Sequence, residues 1–334
     1  MIPPRAVRAF SRCGPWPLWT WLGCVLLAAH SRADEFYTLT SPDSRLAISI
    51  QIPSPNSSQH PHWSLRFDGK PLLADCRLGL QLKGPGELLT GVRLLDHHSN
   101  AANRPVKVLF GKTAYAQDRY KELRIELAAR DGRRLDVVFR CYDDAVALRY
   151  EMHALAKGES IVITDETTSF GLEGNPTAYA QYLENFTTSH EHNVTTVRAS
   201  DLPAGQLLDM PLTLAWADGT CAAITEAALR HYAGMSLSRA TNSAERPELV
   251  CELTPRADGT KVLGPAPLRT PWRVMLIGGR PGALLESSTL YCLNEPSVIG
   301  NTSWIKPGKI TFSWWNGDVY DGHRDLPILS LAMA

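Results

Sequence analysis

Apolar residues occupy every second position over long stretches of this chain, and this period of two constrains the fold more than any other feature. In the stretch LAISIQI, residues 46–52, the large apolar side chains are those of Leu46, Ile48, Ile50 and Ile52. Side chains of a β-strand point alternately to opposite faces of the sheet, so these four would share one face. The pattern predicts a half-buried strand, and it recurs along most of the chain.

Asp-Gly pairs separate successive alternating stretches at Asp68-Gly69, Asp131-Gly132 and Asp218-Gly219. An Asp-Gly pair in this setting is the strongest short-range signal for a β-hairpin, because both residues tolerate a positive φ. These signals predict a mainly β chain with many short antiparallel strands, arranged as a sandwich or barrel over roughly residues 36–298. Helical patterns are few, and the clearest is the short stretch EAALRHYAGM, residues 226–235.

The first 33 residues have the order of a secretory signal peptide. Three arginines precede the apolar run PWPLWTWLGCVLLAA, and small residues follow it, which places the expected cleavage after Ala33. The protein is therefore expected to be exported, to the periplasm or the extracellular space. No later segment approaches the roughly 20 consecutive apolar residues of a membrane-spanning helix.

The charge balance and the cysteine content bear on two questions, whether the protein binds nucleic acid and whether it contains disulfides. Lys plus Arg and Asp plus Glu both number 34, and no basic stretch is present, so the chain lacks the positive surface of a nucleic-acid binder. Removal of the signal peptide leaves five of the seven cysteines, without a C-x-x-C pair. Each is expected to be a small buried residue, and one or two disulfides remain possible.

A set of segments along the chain carries a family resemblance. They are SPDSRLAISIQI (41–52), FRCYDDAVALRYEM (139–152), ITDETTSF (163–170), ITEAALRHYAGM (224–235), TPWR (270–273), LNEPS (293–297) and SWIKPGKITFSWW (303–315). In this order they resemble glycoside hydrolase family 97, the bacterial calcium-dependent α-glucosidases and α-galactosidases. The resemblance implies an α-linked oligosaccharide or glycoside as the partner.

The resemblance also implies a domain order. Members of the family begin with a β-super-sandwich similar to that of galactose mutarotase, followed by a catalytic (β/α)8 barrel and a small β-domain. After the signal peptide (1–33), residues 34–298 resemble the sandwich, 299–316 the linker and first barrel strand, and 317–334 nothing in the family. Only 19 residues follow Trp315, too few for a barrel of about 250 residues, so the chain is expected to be truncated.

Hydrolysis of a glycosidic bond normally needs two carboxyl groups, and in the family these belong to the barrel. The resemblance therefore assigns no catalytic residue here, and the chain is expected to be inactive alone. It does imply one calcium ligand from the sandwich, which matches Glu184 in YLENFTTSHEH, with Glu226 as the second choice. It also implies a sugar-contacting tryptophan on the first barrel strand, for which Trp314 is preferred to Trp315.

Other residue patterns leave alternatives open. His190 and His192 form an H-x-H in the same segment as Glu184, but no third metal ligand lies nearby in the sequence. A stand-alone carbohydrate-binding or scaffolding module would need no catalytic carboxylates. A mutarotase-like epimerase would need a histidine and a carboxylate that converge in the sandwich. The sequence does not choose between glucosidase and galactosidase, or between inverting and retaining chemistry.

Overall fold

Alternating apolar residues produce the expected antiparallel strands. The protein is described here by a computed structural model, which describes residues 33–241, 246–306 and 308–309. Within these residues every pairing between named strands is antiparallel, and helix is confined to short segments. The prediction of a mainly β, antiparallel fold is confirmed.

The strands and helices are given in chain order. The first eleven strands are β1 (Glu35–Thr40), β2 (Leu46–Ile52), β3 (His62–Phe67), β4 (Lys70–Arg77), β5 (Gln81–Leu82), β6 (Gly86–Glu87), β7 (Arg93–Lys107), β8 (Tyr115–Ala128), β9 (Arg134–Tyr142), β10 (Ala145–Met152) and β11 (Ser160–Asp165). The next are β12 (Ser169–Gly171), β13 (Thr177–Leu183), β14 (Val194–Arg198), β15 (Leu207–Leu208), β16 (Leu212–Ala215), β17 (Cys221–Ala227), β18 (Met235–Arg239), β19 (Glu248–Leu253), β20 (Val262–Pro265), β21 (Leu268–Arg269) and β22 (Trp272–Gly278). The helices are a 3-10 turn (Ala199–Asp201), α1 (Pro281–Glu286) and α2 (Thr289–Leu293).

These strands form three sheets. The first has the order β1-β2-β3-β4, and a small one has the order β20-β11-β5-β6. A long sheet has the order β12-β19-β18-β15-β13-β16-β17-β22-β10-β9-β8-β7, with β14 beside β13 and β21 beside β10. The three Asp-Gly pairs fall between β3 and β4, β8 and β9, and β16 and β17, and each of these strand pairs is hydrogen-bonded as a hairpin.

The main core lies where the first sheet packs on the long sheet. Leu46, Ile48, Ile50 and Ile52 of β2 are at most 1% exposed, as the period of two predicts. The indole of Trp63 on β3 lies 5.8 Å from the ring of Phe139 on β9, measured between centroids. A second, smaller apolar cluster covers part of the opposite face of the long sheet, and it includes Cys292 and Leu293 of α2 and Val274 of β22. The long sheet is therefore buried on one face and only partly covered on the other.

Two expectations about local structure differ from what is observed. The stretch 226–235 is not helical: Glu226 and Ala227 end β17, Met235 begins β18, and the connection between them is irregular. Ala228 and His231 have positive φ values of 55° and 52°, which an α-helix does not accommodate. The disulfides that the sequence left open are absent from the described residues, where all five cysteines are free and buried.

The segments predicted at the two ends of the chain lie largely outside the described residues. The signal peptide, apart from Ala33, lies outside the described residues. So do Trp314, Trp315 and the whole of the expected first barrel strand, ITFSWW (310–315). After α2, residues 294–306 contain neither strand nor helix. Within the described ranges no helix has the length and apolar character needed to cross a membrane.

Candidate functional site

The first element of the candidate site is the segment between β13 and β14, residues 184–193, called here the 184–193 loop. Glu184 follows the last residue of β13, and its side chain is exposed to solvent. Within the described ranges the structure records no hydrogen bond or ion pair for its carboxylate. The carboxylate is therefore available to a ligand, as the prediction for Glu184 requires.

Polar contacts anchor the 184–193 loop to the sheet. His190 Nδ1 lies 2.8 Å from Asp209 Oδ2, and Gln181 Nε2 donates to the same carboxylate oxygen at 2.9 Å. At the start of the loop Asn185 Oδ1 accepts hydrogen bonds from both the backbone and the hydroxyl of Thr187, each at 2.8 Å. These contacts give the segment after Glu184 a defined path. Both histidines of the loop are exposed, and His190 is engaged by a carboxylate.

A cleft of about 390 Å³ lies beside this loop. Its lining includes Phe186 and His190 from the loop, Asp209, and Glu226 of β17. The cleft therefore brings Glu226, the second choice for a calcium ligand, close to the loop that begins with Glu184. Leu183, the residue before Glu184, also lines it.

Glu226 belongs to a group of buried and half-buried charged and phenolic side chains, called here the arginine cluster and formed by Glu166, Glu226, Tyr232 and Arg273. Arg273 is 1% exposed and donates to both oxygens of Glu166, from Nε at 2.7 Å and from Nη2 at 2.6 Å. Its Nη1 donates to Glu226 Oε2 at 2.6 Å. The hydroxyl of Tyr232 donates to Glu166 Oε2 at 3.1 Å. One guanidinium thus holds two carboxylates inside the sandwich.

Burial and neighbouring charges shift the pKa values of the side chains in the arginine cluster. Burial raises the pKa of Glu226, Arg273 opposes this shift, and the nearby charge of Glu166 adds to it. Burial also raises the pKa of the Tyr232 hydroxyl well above its usual value, so this group stays protonated as a donor. The pKa of Arg273 is well above its usual value because the charge of Glu166 and its hydrogen bonds outweigh desolvation. The cluster therefore contains a permanent cation shared between two carboxyl groups.

Calcium requires six to eight oxygen ligands, and the described residues offer few of them. Both oxygens of Glu226 are engaged, one by Arg273 and the other by the backbone N–H of Met235 at 3.2 Å. Within residues 33–241 and 246–306 no group of three or more His, Cys, Asp or Glu side chains could hold a metal ion. Glu184 fits a calcium site only as one contributing ligand, and Glu226 fits less well. Both assignments stay predictions.

Sequence reasoning did not identify the arginine cluster. Its members nevertheless fall in three of the segments that carry the family resemblance, ITDETTSF, ITEAALRHYAGM and TPWR. The available signal was an arginine directly before the apolar run VMLIG, because a charged residue within a buried strand needs a buried partner. The partners come from parts of the chain that are distant in the sequence, so the sequence alone could not pair them.

The fold and this site together define a β-sandwich domain. The 184–193 loop exposes the carboxylate of Glu184, and the arginine cluster lies next to the cleft beside that loop. A family model described as Glycosyl-hydrolase 97 N-terminal matches residues 39–296. The chain belongs to this family, as the resemblance of its segments indicated.

Individual relatives are similar over most of this chain. It is 25% identical over 324 residues to a protein of Bacteroides thetaiotaomicron named retaining alpha-galactosidase, covering 90% of this chain and 47% of the relative. It is 27% identical over 293 residues to a probable retaining alpha-galactosidase of Streptomyces bingchenggensis, covering 88% and 43%. A solved glycoside hydrolase family 97 enzyme from Pseudoalteromonas sp. strain K8, in complex with acarbose, superposes with a TM-score of 0.73 at 28% identity, covering 81% and 40%. The chain spans less than half the length of each.

Proposed function

We propose that this chain is the N-terminal, carbohydrate-associated domain of an exported glycoside hydrolase that cleaves terminal α-linked sugars. The observation that carries the proposal is the family match over residues 39–296, together with relatives that align along 88–90% of the chain. We assign a catalytic role to no pair of carboxyl groups in the described sandwich. We therefore propose that the catalytic carboxylates lie outside it and that this chain alone does not hydrolyse glycosides.

The proposed substrate is a terminal α-galactoside, because both curated relatives carry that activity in their names. An α-glucoside is the alternative, since solved relatives from Pseudoalteromonas were captured with acarbose and with panose. Residues 299–316 would begin the catalytic barrel, with Trp314 as the sugar-contacting aromatic side chain. An aromatic ring suits the apolar face of a pyranose. These residues, apart from 299–306 and 308–309, lie outside the described part of the chain.

The proposed contribution of the sandwich is Glu184 as one ligand of a shared calcium ion. Its support is geometric: the carboxylate is exposed, stands at the start of an anchored loop, and has no partner within the described ranges. Bound calcium would supply positive charge near the reacting bond. The proposed role of His190 and Asp209 is to anchor the loop that begins with Glu184.

A chimera tests this role of Glu184. Residues 34–296 of this chain would replace the corresponding part of the Bacteroides relative, and hydrolysis of nitrophenyl α-galactoside would be followed during calcium titration. We expect Glu184→Gln to raise the calcium concentration for half-maximal activity on the order of tenfold, because ligand charge sets calcium affinity. Glu191→Gln changes an exposed acid of the same loop and should leave it unchanged.

The outcomes separate the two candidate ligands. A shift with Glu226→Gln but not with Glu184→Gln would transfer the role to Glu226. No shift with either variant would contradict the proposed calcium role of the sandwich while leaving its family membership untouched. Circular dichroism of each chimera would show whether a lost activity reflects a lost fold.

A further inference from the structure

Two adjoining cavities form one groove on the outer face of the first sheet, called here the outer groove. Their volumes are about 580 and 240 Å³, and the larger is within the range of small-molecule sites. Gln51, His62 and Asp75 line both cavities. The strands that flank the 184–193 loop belong to the long sheet, and the cleft beside that loop shares no lining residue with the outer groove. The groove is therefore a separate site.

The register of the first sheet places a row of unlike side chains across the groove. One row of paired residues packs in or against the main core, namely Tyr37, Ile50, Trp63 and Cys76. Because side chains alternate between the faces of a strand, the adjacent row points outward. That outward row is Phe36, Gln51, His62 and Arg77. It crosses four strands that lie about 4.8 Å apart, so it is about 14 Å long, which is longer than one pyranose ring.

Phe36 supplies an apolar surface at one end of this row. It is 70% exposed, and among the residues that line the groove it is the one large apolar residue exposed to solvent. A second outward row beside it carries three hydroxyl groups, those of Thr38, Ser49 and Ser64. A single ring among polar groups suits the C–H face of a pyranose. A protein partner would instead be held by several large apolar side chains.

A β-bulge directs Asp75 into the groove. Between the pairs Trp63–Cys76 and Leu65–Leu73, β4 contains one residue more than β3. Asp75 lies in this bulge with a φ of 50°, and its side chain is 75% exposed. Bulges re-aim side chains and are common beside functional sites. The carboxylate of Asp75 is therefore both fixed by the backbone and open to a ligand.

Neighbouring groups hold two further polar side chains of the row in place. Gln51 Nε2 donates to Asp34 Oδ2 at 2.8 Å, and Arg77 Nε donates to the carbonyl oxygen of Thr167 at 3.1 Å. Within the described ranges no hydrogen bond is recorded for Gln51 Oε1 or for the two Nη atoms of Arg77. The row thus offers a fixed acceptor and fixed donors. Each sugar hydroxyl is a donor and an acceptor at once, so this mixture suits it.

The charges at the groove cancel. Asp75 and Arg77 are the lining residues with permanent charges, and their signs are opposite. Arg246, which donates to Asp75 Oδ2 at 2.7 Å, is also paired with Glu173. Burial lowers the pKa of His62 more than the nearby charge of Asp75 raises it, so its imidazole is neutral at neutral pH. The groove therefore favours an uncharged ligand over an anion or a cation.

We propose that the outer groove binds a neutral α-linked oligosaccharide, with one pyranose ring against Phe36 and with sugar hydroxyls hydrogen-bonded to Asp75 and Arg77. For the class of ligand the inference rests on the proposed function, because the chain belongs to a family of glycoside hydrolases. It adds a second contact with carbohydrate, away from the 184–193 loop. A second point of attachment would raise the effective concentration of an oligosaccharide at the enzyme.

Isothermal titration calorimetry of the purified chain tests the proposal with panose, raffinose and D-galactose as probes. We expect the better of the two trisaccharides to bind roughly tenfold more tightly than galactose, because the groove is longer than one ring. Phe36→Ala should weaken trisaccharide binding roughly fivefold through the loss of one aromatic contact. Phe110→Ala is the matched control, because Phe110 is also an exposed phenylalanine and lies outside the groove.

A second variant tests the polar side of the groove. Asp75→Ala removes a charged hydrogen-bond acceptor and should weaken trisaccharide binding on the order of tenfold. Glu184→Gln should leave this binding unchanged, since Glu184 lies outside the groove. Because Phe36 is exposed, its variant should also keep the melting temperature of wild type, which separates a loss of binding from a loss of fold.

Three results would overturn the proposal. They are the absence of trisaccharide binding at concentrations on the order of tens of millimolar, galactose binding as tight as that of the trisaccharides, and trisaccharide binding that Phe36→Ala leaves unchanged. None of these results bears on hydrolysis or on the calcium titration of the chimera. Failure of the outer groove and failure of the proposed function are therefore distinguishable.

Discussion

Arg273 is a residue whose loss should be costly, because its one buried charge is shared by Glu166 and Glu226. Replacement by Met would leave the buried carboxylate of Glu166 and the half-buried carboxylate of Glu226 without a cation. We expect Arg273→Met to lower the free energy of unfolding by about 3–5 kcal/mol, measured by urea denaturation. Arg280→Gln, which breaks an exposed pair, should change it by less than about 0.5 kcal/mol. Equal stability of Arg273→Met and wild type would contradict the structural role of the cluster.

Glu226 is expected to make stability depend on pH in a defined direction. Its pKa is raised above the usual 4.5, chiefly by burial, so the folded state binds the proton more tightly than the unfolded state. The resulting stability is complete below the unfolded pKa and is lost as the pH rises through the raised folded pKa. The unfolding free energy of wild type minus that of Glu226→Gln should therefore fall as the pH rises above the usual pKa of 4.5. A difference that grows with pH would show that Arg273 outweighs burial.

At the scale of elements, the local sequence predicted strands and hairpins well. The alternation of apolar and polar residues and the Asp-Gly turns both depend on residues that are neighbours in the chain. The local sequence failed for residues 226–235, where Ala227, Ala228 and Leu229 favour helix. Ala227 instead pairs with Trp272 in the sheet, and Tyr232 turns inward to Glu166. Tertiary contacts to β22 and to the cluster outweighed helix propensity. The arginine cluster escaped prediction for the same reason, since it joins side chains from parts of the chain that are distant in the sequence.

The β3–β4 hairpin provides a test of turn chemistry. Gly69 has a φ of 78°, and a Cβ built on it meets no atom within 4 Å. A side chain at this position would therefore be disfavoured by the positive φ alone and not by a clash with a neighbour. We expect Gly69→Ala to destabilise the protein by about 1 kcal/mol, measured by urea denaturation. The control is Gly279→Ala, where the space is equally open and φ is not positive. It should be neutral or stabilising by up to about 1 kcal/mol, and equal losses at both positions would contradict the turn assignment.

At the scale of the whole molecule, the sequence indicated both the antiparallel sandwich and the family, because apolar periodicity and ordered segments extend over most of the chain. It placed Glu184 on an exposed loop but could not show how His190 and Asp209 anchor that loop. The predictions for Trp314 and for the first barrel strand fall outside the described residues. The relatives extend well beyond the region that this chain spans, and we propose that the catalytic carboxylates lie outside the described sandwich.

The most direct test of the proposed function is the rate of hydrolysis of nitrophenyl α-galactoside and nitrophenyl α-glucoside by the purified chain in the presence of calcium. We expect no release of nitrophenol above the rate in buffer, because we propose that the required pair of catalytic carboxyl groups lies outside the described sandwich. Release that rises in proportion to the concentration of the chain, and that persists through successive purification steps, would contradict it.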